Sequence, residues 1–114
     1  MANYTDPIKT REVYSITSSA TPTVHADKYM FVSITALAAA ITGVTVTGNP
    51  VDFQELTFRI KDNGTNRAIT WGSQFAAKGV ALPTTTTANK LLTTRFQYDS
   101  VAAKWGCISS VVEA

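Results

Sequence analysis

The feature that most constrains the fold is a two-residue alternation of apolar and polar side chains in the middle of the chain. The large apolar residues there are Leu56, Phe58 and Ile60, and the polar residues that alternate with them are Thr57, Arg59 and Lys61. Because successive side chains of a β-strand point to opposite faces, this spacing places the apolar groups on one face and the polar groups on the other. The segment therefore predicts a strand with one buried face.

The same alternation recurs in other segments, which are rich in Thr, Val, Ile and aromatic residues. These side chains suit a pleated, half-buried surface. The further alternating sets are Met30, Val32 and Ile34, then Val44 and Val46, and finally Leu92, Thr94, Phe96 and Tyr98. Together the pattern predicts about eight short strands that begin near Val13, and it predicts a closing hairpin in which residues 99–103 turn the chain into a return strand over residues 105–112.

Three connecting segments carry their own expectations. Residues 62–66 combine Asp, Asn and Gly, which tolerate turn conformations, so we expect a first hairpin whose second strand contains Ile69 and Trp71. Residues 36–41 are rich in alanine and predict at most one turn of helix. Residues 79–90 contain Pro83 and predict an edge strand or a connector.

The whole pattern predicts an all-β, single-domain antiparallel β-sandwich, jelly-roll-like, with an extended N-terminal arm. A chain of 114 residues is the size of one domain, and 45% hydrophobic against 16% charged residues is enough to bury a core. Residues 1–12 show no alternation and contain Pro7, so we assign them to the arm and residues 13–114 to the sandwich domain.

Composition excludes several classes of function. The net charge of +2 is too small to predict a nucleic-acid partner. One cysteine, Cys107, and one histidine, His25, exclude an internal disulfide and a standard Cys/His zinc site. No segment is apolar enough over a sufficient length to span a membrane, and the N-terminus does not resemble a secretion signal, so we expect synthesis in the cytoplasm.

No convincing catalytic set emerges, and we expect no enzyme, no cofactor and no metal. His25 has Asp27, Ser18 and Ser19 nearby in sequence, but a surface loop explains them better than a nucleophile with its base. The oxygen-bearing residues 62–66 lack the spaced acidic series of a calcium loop. Cys107 lies in a predicted strand, where a thiol usually packs as a small apolar group.

Basic and aromatic residues suggest a nucleic-acid groove as an alternative. The basic residues are Lys61, Arg67, Lys78, Lys90 and Arg95, and Trp71 and Phe75 would be the stacking platforms. The polar positions of alternating strands account better for Arg59, Lys61 and Arg95, since charges there face water and discourage aggregation. We expect Trp71 and Trp105 to fill the core.

Several of these segments, taken together, resemble a domain of tailed-bacteriophage virion proteins. The resemblance rests on a core of RIKDNGTNRAITW over residues 59–71, with ITALA at 34–38, GNPVD at 48–52, LPTTT at 82–86 and the closing hairpin from Tyr98 to Trp105. It covers most of residues 15–114. The shared residues are those of strands, turns and core, so the resemblance implies a structural part of a virion and transfers no catalytic residue.

In that family the domain lies at the end of longer tail-associated proteins and also occurs as a short free-standing protein. In this sequence only the arm of residues 1–12 precedes it. We therefore expect a capsid decoration or cement protein that binds the outside of a phage head, bridges major capsid protein subunits and forms a homotrimer. The predicted partner contacts are Tyr4, Ile8, Val13 and Tyr14. Two alternatives stay open: a tail fibre or receptor-binding module, and a carbohydrate-binding or hydrolytic β-sandwich in which Trp71, Phe75 or Trp105 stacks on sugar.

Overall fold

A computed structural model describes residues 12–114, and this part of the chain is all β, as predicted, with no helix. It contains eight strands, which are β1 (Val13–Ile16), β2 (Thr23–His25), β3 (Phe31–Leu37), β4 (Thr45–Thr47), β5 (Glu55–Asp62), β6 (Phe75–Ala77), β7 (Leu91–Asp99) and β8 (Lys104–Val112). The first strand begins at Val13, where the sequence places it. The predicted arm, residues 1–12, lies outside this description except for Glu12.

The strands form two sheets. Six of them form one sheet in the order β1-β3-β5-β7-β8-β6, and β2 pairs with β4 in the other. The pairs β1–β3, β3–β5, β6–β8 and β2–β4 are parallel, whereas β5–β7 and β7–β8 are antiparallel. Both sheets are therefore built largely from parallel neighbours, with an antiparallel portion at the C-terminal end of the chain.

The parallel pairs arise because the first half of the chain winds between the two sheets. β1, β3 and β5 lie side by side in the large sheet, while β2 and β4, which follow β1 and β3 along the chain, lie side by side in the small one. After β5 the chain returns to the second layer, where Ile69 forms a parallel bridge to Ile41 and the Trp71 carbonyl accepts the Val44 N–H at 3.0 Å. We call residues 13–71 the parallel coil, and β7 with β8 the C-terminal hairpin.

The prediction of antiparallel sheets is wrong for the parallel coil. Burial alternates along β3 and β5 as the sequence indicates, with inward residues such as Val32 and Phe58 buried and Phe31 and Arg59 exposed. Alternation reports that one face of a strand is buried, but it says nothing about the direction of the neighbouring strand. A jelly roll consists of antiparallel Greek keys, so this strand order does not support the jelly-roll part of the prediction.

The hairpin expected at residues 62–66 is also wrong. β5 has β3 on one side and β7 on the other, so no edge is left for the chain that follows it. The turn chemistry itself is as expected, because Asp62 Oδ1 accepts the Gly64 N–H at 3.0 Å. The turn directs the chain into the second layer, where Ala68 and Ile69 form bridges to Thr85 and Ile41.

Residues 36–41 form no helical turn. Ala36 and Leu37 belong to β3, and Ile41 is buried and forms its bridge to Ile69 in the second layer. The backbone N–H groups here find partners in the preceding turn of the coil: Ala36 N–H donates to the Thr17 carbonyl at 2.9 Å, and Ala38 N–H donates to Ser18 Oγ at 2.9 Å. These tertiary contacts override the helix propensity of alanine.

The core lies between the two layers and is rich in aromatic rings. Phe58 of β5 packs edge-on against Trp71 at 5.1 Å and against Phe96 of β7 at 5.8 Å between ring centroids. Phe75 packs on Phe96 at 4.9 Å. Trp71 and Trp105 are both buried, as expected. The coil and the hairpin therefore share one core.

The predicted closing hairpin is confirmed. β7 and β8 pair from Asp99–Lys104 to Leu92–Val112, with one irregularity between Arg95 and Phe96. Asp99 Oδ1 accepts the Val101 N–H at 2.9 Å and so closes the turn. Residues 79–90 act as a connector whose bridge is formed by Thr85.

Candidate functional site

The four predicted partner residues belong to the N-terminal end of the fold. Tyr4 and Ile8 lie outside the described residues. Val13 and Tyr14 lie on β1, where the Val13 side chain is 51% exposed and Tyr14 is half-buried. The Tyr14 ring packs against Tyr29 with their centroids 5.2 Å apart. The structure thus brings two of the four predicted residues to one strand at the margin of the large sheet.

Within residues 12–114, β1 has a neighbour on one side only, which is β3. Backbone groups alternate in direction along a strand, so every second residue of β1 directs its N–H and C=O away from β3. The strand contains no charged residue and no proline, the devices that usually protect such an edge. Glu12 directly precedes the strand, and its carboxylate lies 4.0 Å from the Lys28 ammonium.

The inward side chains of β1 are less covered than those of its neighbour. Tyr14 and Ile16 are half-buried, whereas Val32 and Ile34, their register partners on β3, are each 1% exposed. On the opposite face Val13 lies beside Phe31, which is 36% exposed. An added strand would cover apolar surface on both faces of the sheet and would pair with the outward backbone groups.

A second exposed surface was not found from the sequence. Three of the seven exposed large hydrophobic residues of the described chain lie on two neighbouring loops, residues 50–54 and 99–103. We call this surface the apolar tip, and its residues are Val51, Phe53 and Val101, which are 66%, 71% and 94% exposed. The sequence does contain a signal for this surface, because large apolar residues are unusual beside turn-forming residues such as Asn49 and Pro50.

A groove of about 590 Å³ lies beside the apolar tip. Its apolar lining includes Ala26 and Met30 in addition to Val51 and Phe53, and its charged lining consists of Asp27, Lys28 and Glu55. Glu55 forms an ion pair with Arg95 at 2.8 Å, and Asp27 accepts the Asn49 N–H at 3.0 Å.

The four residues considered as a catalytic set, His25, Asp27, Ser18 and Ser19, each form hydrogen bonds to other groups. His25 Nδ1 shares a hydrogen bond of 2.6 Å with Thr47 Oγ1, and the Asp27 carboxylate serves the Asn49 N–H. The Ser18 and Ser19 hydroxyls accept backbone N–H groups at 2.9 and 3.1 Å. No hydrogen bond joins any two of these four side chains among residues 12–114.

The aromatic residues proposed to stack on sugar or on bases are buried. Trp71, Phe75 and Trp105 are 3%, 5% and 2% exposed, so their faces are occupied by the core. Both alternatives lose the platforms on which they were based. The interpretation of Arg59, Lys61 and Arg95 as outward residues is confirmed, because all three are exposed.

Asp62 is the one buried carboxylate of the described chain, with 3% exposure. Burial alone raises its pKa, but donation from the Thr86 hydroxyl at 2.6 Å, from the Asn89 and Gly64 N–H groups at 2.9 and 3.0 Å, and the charge of Arg67 together lower the pKa below its ordinary value. Both oxygens are thus engaged by donors of the protein. The group joins the end of β5 to the connector.

Cys107 is buried, as expected, and burial raises the pKa of its thiol. Hydrogen bonds from Lys78 and from the turn N–H groups lower the pKa of Asp99.

Among residues 12–114, no three His, Cys, Asp or Glu side chains are grouped so that they would hold a metal ion. The same residues contain no helix of a length and apolarity that would cross a membrane.

Comparisons with protein-family models, with curated proteins and with solved structures give no match to this chain.

Proposed function

We propose that this chain is a structural virion protein, specifically a capsid decoration protein that binds the outer surface of a phage head and stabilises it by bridging capsid subunits. In this proposal its two layers constitute a β-sandwich, its partners are the major capsid protein and further copies of itself in a trimer, and it is made in the host cytoplasm. The resemblance of residues 15–114 to phage virion domains supports the setting. The edge of β1, which has no neighbouring strand within residues 12–114, is the observation that carries the binding role.

β1 supports a binding role because it offers three kinds of contact in one place. Its outward backbone groups would pair with an added strand, the half-buried Tyr14 and Ile16 would be covered on the inner face, and Val13 would be covered on the outer face. Strand addition of this kind gives affinity through backbone hydrogen bonds and selectivity through alternate side chains. The predicted contacts Tyr4 and Ile8 precede this edge along the chain.

One such contact is small. β1 has four residues, so a strand added to it would bury less than the roughly 1,600 Å² of an ordinary stable interface. Several copies that bind together multiply a weak contact through effective concentration. Multivalent attachment therefore favours the trimer over a monomer as the unit that binds the shell.

The proposal is tested with expanded empty capsids of the phage whose genome carries the gene. Purified protein is expected to saturate the shells at a fixed ratio and to raise the temperature at which they disrupt. Val13→Lys places a charge on the edge and is expected to weaken binding about tenfold or more, since charged edge residues oppose strand pairing. The control is Val111→Lys, an exposed valine (58%) on β8 of the same sheet.

Three results would count against the proposal. Wild-type protein that leaves expanded shells unoccupied removes the decoration role, and binding to purified tails instead would establish the tail-associated alternative. Equal losses in Val13→Lys and Val111→Lys would show that β1 is not the contact.

A further inference from the structure

The apolar tip has no role in the folded domain that explains its composition. Val51, Phe53 and Val101 are all exposed, and they lie on the loop of residues 50–54 and on the hairpin turn beside it. Asp52 links the two loops, because its Oδ1 accepts the Ser100 N–H at 3.0 Å. Scattered exposed hydrophobic residues need no explanation, but a cluster of three on adjoining loops indicates contact with another molecule.

Phe53 also has a strained backbone conformation. The Gln54 N–H donates to the Val51 carbonyl at 3.1 Å, which defines a four-residue turn with Phe53 at its third position. The φ angle of Phe53 is +71°, a conformation that glycine adopts readily and that a bulky side chain disfavours. Glycine would relieve this strain and would also remove an exposed ring from water. Neither stability nor solubility therefore accounts for phenylalanine at this position, and such strain is typical of binding loops.

The loop is held in place before any partner arrives. The Phe53 N–H donates to the Tyr98 carbonyl at 2.9 Å, and the Tyr98 N–H donates to the Gln54 carbonyl at 2.8 Å. The Gln54 side chain donates to the Ala26 carbonyl at 2.9 Å and accepts the Val51 N–H at 3.1 Å. A ring presented on such a loop loses little conformational freedom on binding.

The charges around the tip distinguish between partners. The carboxylates of Asp27, Asp52 and Glu55 lie on the tip or its groove, together with the ammonium of Lys28. Glu55 pairs with Arg95 and Lys28 pairs with Glu12, whereas Asp27 and Asp52 have no ion-pair partner within residues 12–114. An anionic membrane surface would be repelled by this balance, whereas a protein pocket with a basic rim would complement it.

We propose that the apolar tip is a second docking surface, separate from the β1 edge, which inserts Phe53 into an apolar, basic-rimmed pocket on a neighbouring virion protein. This inference rests on the proposed function and deepens it. A decoration protein that bridges subunits needs two contact surfaces, and β1 with the apolar tip would provide them. Buried aromatic anchors of this kind dominate the affinity of protein interfaces.

The deciding variant is Phe53→Gly, which is expected to weaken binding while leaving stability nearly unchanged. The unfolding temperature is expected to stay within about 3 °C of the wild type, since relief of strain offsets the small buried part of the ring. Affinity for expanded capsids is expected to fall about 10- to 100-fold. Val111→Ala, which shortens an exposed valine away from the tip, is the matched control and should leave both quantities unchanged.

The outcomes separate this inference from the proposed function. If wild type and Phe53→Gly bind capsids equally, the docking surface is wrong while the decoration role stands. If wild type binds purified tails instead and Phe53→Gly does not, the docking surface stands and the decoration role fails. If wild type binds neither particle, both fail.

Two further results would also contradict the inference. Phe53-dependent binding to vesicles of phosphatidylglycerol would make the tip a membrane contact. Phe53-dependent self-association in sedimentation, without particle binding, would make it a contact between copies of this chain.

Discussion

The parallel coil and the C-terminal hairpin bury their side chains in the same alternating pattern, yet they find their neighbours in different ways. In the hairpin, Tyr98 pairs with Trp105 across a short turn. In the coil, Val13 pairs with Phe31 and Phe31 pairs with Thr57, and between these residues the chain passes through the other layer. The hairpin is thus specified by adjacent sequence, whereas the coil depends on contacts between segments that are distant in sequence.

This difference predicts an order of folding. Closing a short turn costs less conformational entropy than closing the longer loops of the coil. We therefore expect the hairpin to form before the coil, which would then wind against β7 through β5. The aromatic core, to which both regions contribute, offers matched residues with which to test this.

The largest effects are expected from truncating two phenylalanines, Phe58 of the coil and Phe96 of the hairpin. Their side chains are 1% and 0% exposed and pack against each other. Replacing either with alanine should lower the free energy of unfolding by about 3–5 kcal/mol. The rates should divide differently: Phe96→Ala mainly slows folding and Phe58→Ala mainly accelerates unfolding, as measured by stopped-flow fluorescence in denaturant.

Leucine at the same two positions provides milder variants if an alanine variant does not fold. The same division between folding and unfolding rates is expected from them. If both replacements slow folding equally, the coil and the hairpin form together and the comparison fails as an account of folding.

The next largest effect concerns Asp62, which fastens the last turn of the coil to the connector. Asp62→Ala leaves the Thr86 hydroxyl and the Gly64 and Asn89 N–H groups without their acceptor. Loss of a buried acceptor of this kind should lower the free energy of unfolding by about 1–3 kcal/mol in chemical denaturation. The control is Asp52→Ala, an exposed carboxylate that accepts one N–H on the tip, and its cost should be well below that of Asp62→Ala.

The same carboxylate predicts a pH dependence. The pKa of Asp62 is lower in the folded chain than its ordinary value, so the stability it contributes is present above the unfolded pKa and is lost as pH falls through the folded pKa. Wild type should therefore lose stability below about pH 4. Asp62→Asn, which does not titrate, should lose less over that range, although the lowered pKa of Asp99 leaves part of the slope in both proteins. Identical slopes would contradict this assignment.

The sequence predicted where strands lie and which of their faces are buried. It missed the direction and pairing of the strands, which depend on their neighbours in the sheet. Alternation located β3, β5 and β7, the turn at residues 99–103 located β8, and Trp71 and Trp105 lie in the core as expected. The strand directions were missed because alternation is the same for parallel and antiparallel partners. The turn after Asp62 was recognised, but its destination was set by β7, which occupies the edge that a hairpin would need.

The candidate site was predicted in part for a similar reason. The sequence pointed to Val13 and Tyr14 as contacts, and the strand order places both on β1, at one edge of the large sheet as described over residues 12–114. The apolar tip was missed because Phe53 and Val101 belong to segments distant in sequence, and only the pairing of β5 with β7, and of β7 with β8, brings them to one end. Strain at Phe53 is a property of its φ angle and has no counterpart in composition.

A smaller effect on stability is expected from adding a side chain in a turn of the coil, in contrast to the turn of the hairpin. Gly48 has a φ angle of +92°, and a Cβ added there would lie 2.7 Å from Asp27 Oδ2. Gly48→Ala should lower the free energy of unfolding by about 1–2 kcal/mol, measured by denaturant titration. Gly43→Ala, which has open space around the added carbon, should be neutral or slightly stabilising. The hairpin tolerates a side chain in its own turn, where Ala103 has a φ angle of +55°.

The smallest effect is a gain in stability at the seam between coil and hairpin. Thr94 of β7 pairs with Phe58 of β5, is fully buried, and has no hydrogen-bond partner for its hydroxyl within residues 12–114. Thr94→Val keeps the shape and removes the unpaired hydroxyl, so it should raise the free energy of unfolding by about 1 kcal/mol. Thr86→Val is the matched control. Its hydroxyl donates to Asp62 and accepts the Arg67 N–H at 2.8 Å, and its removal should be destabilising. A loss of stability in Thr94→Val would mean that the Thr94 hydroxyl has a hydrogen-bond partner in the folded protein.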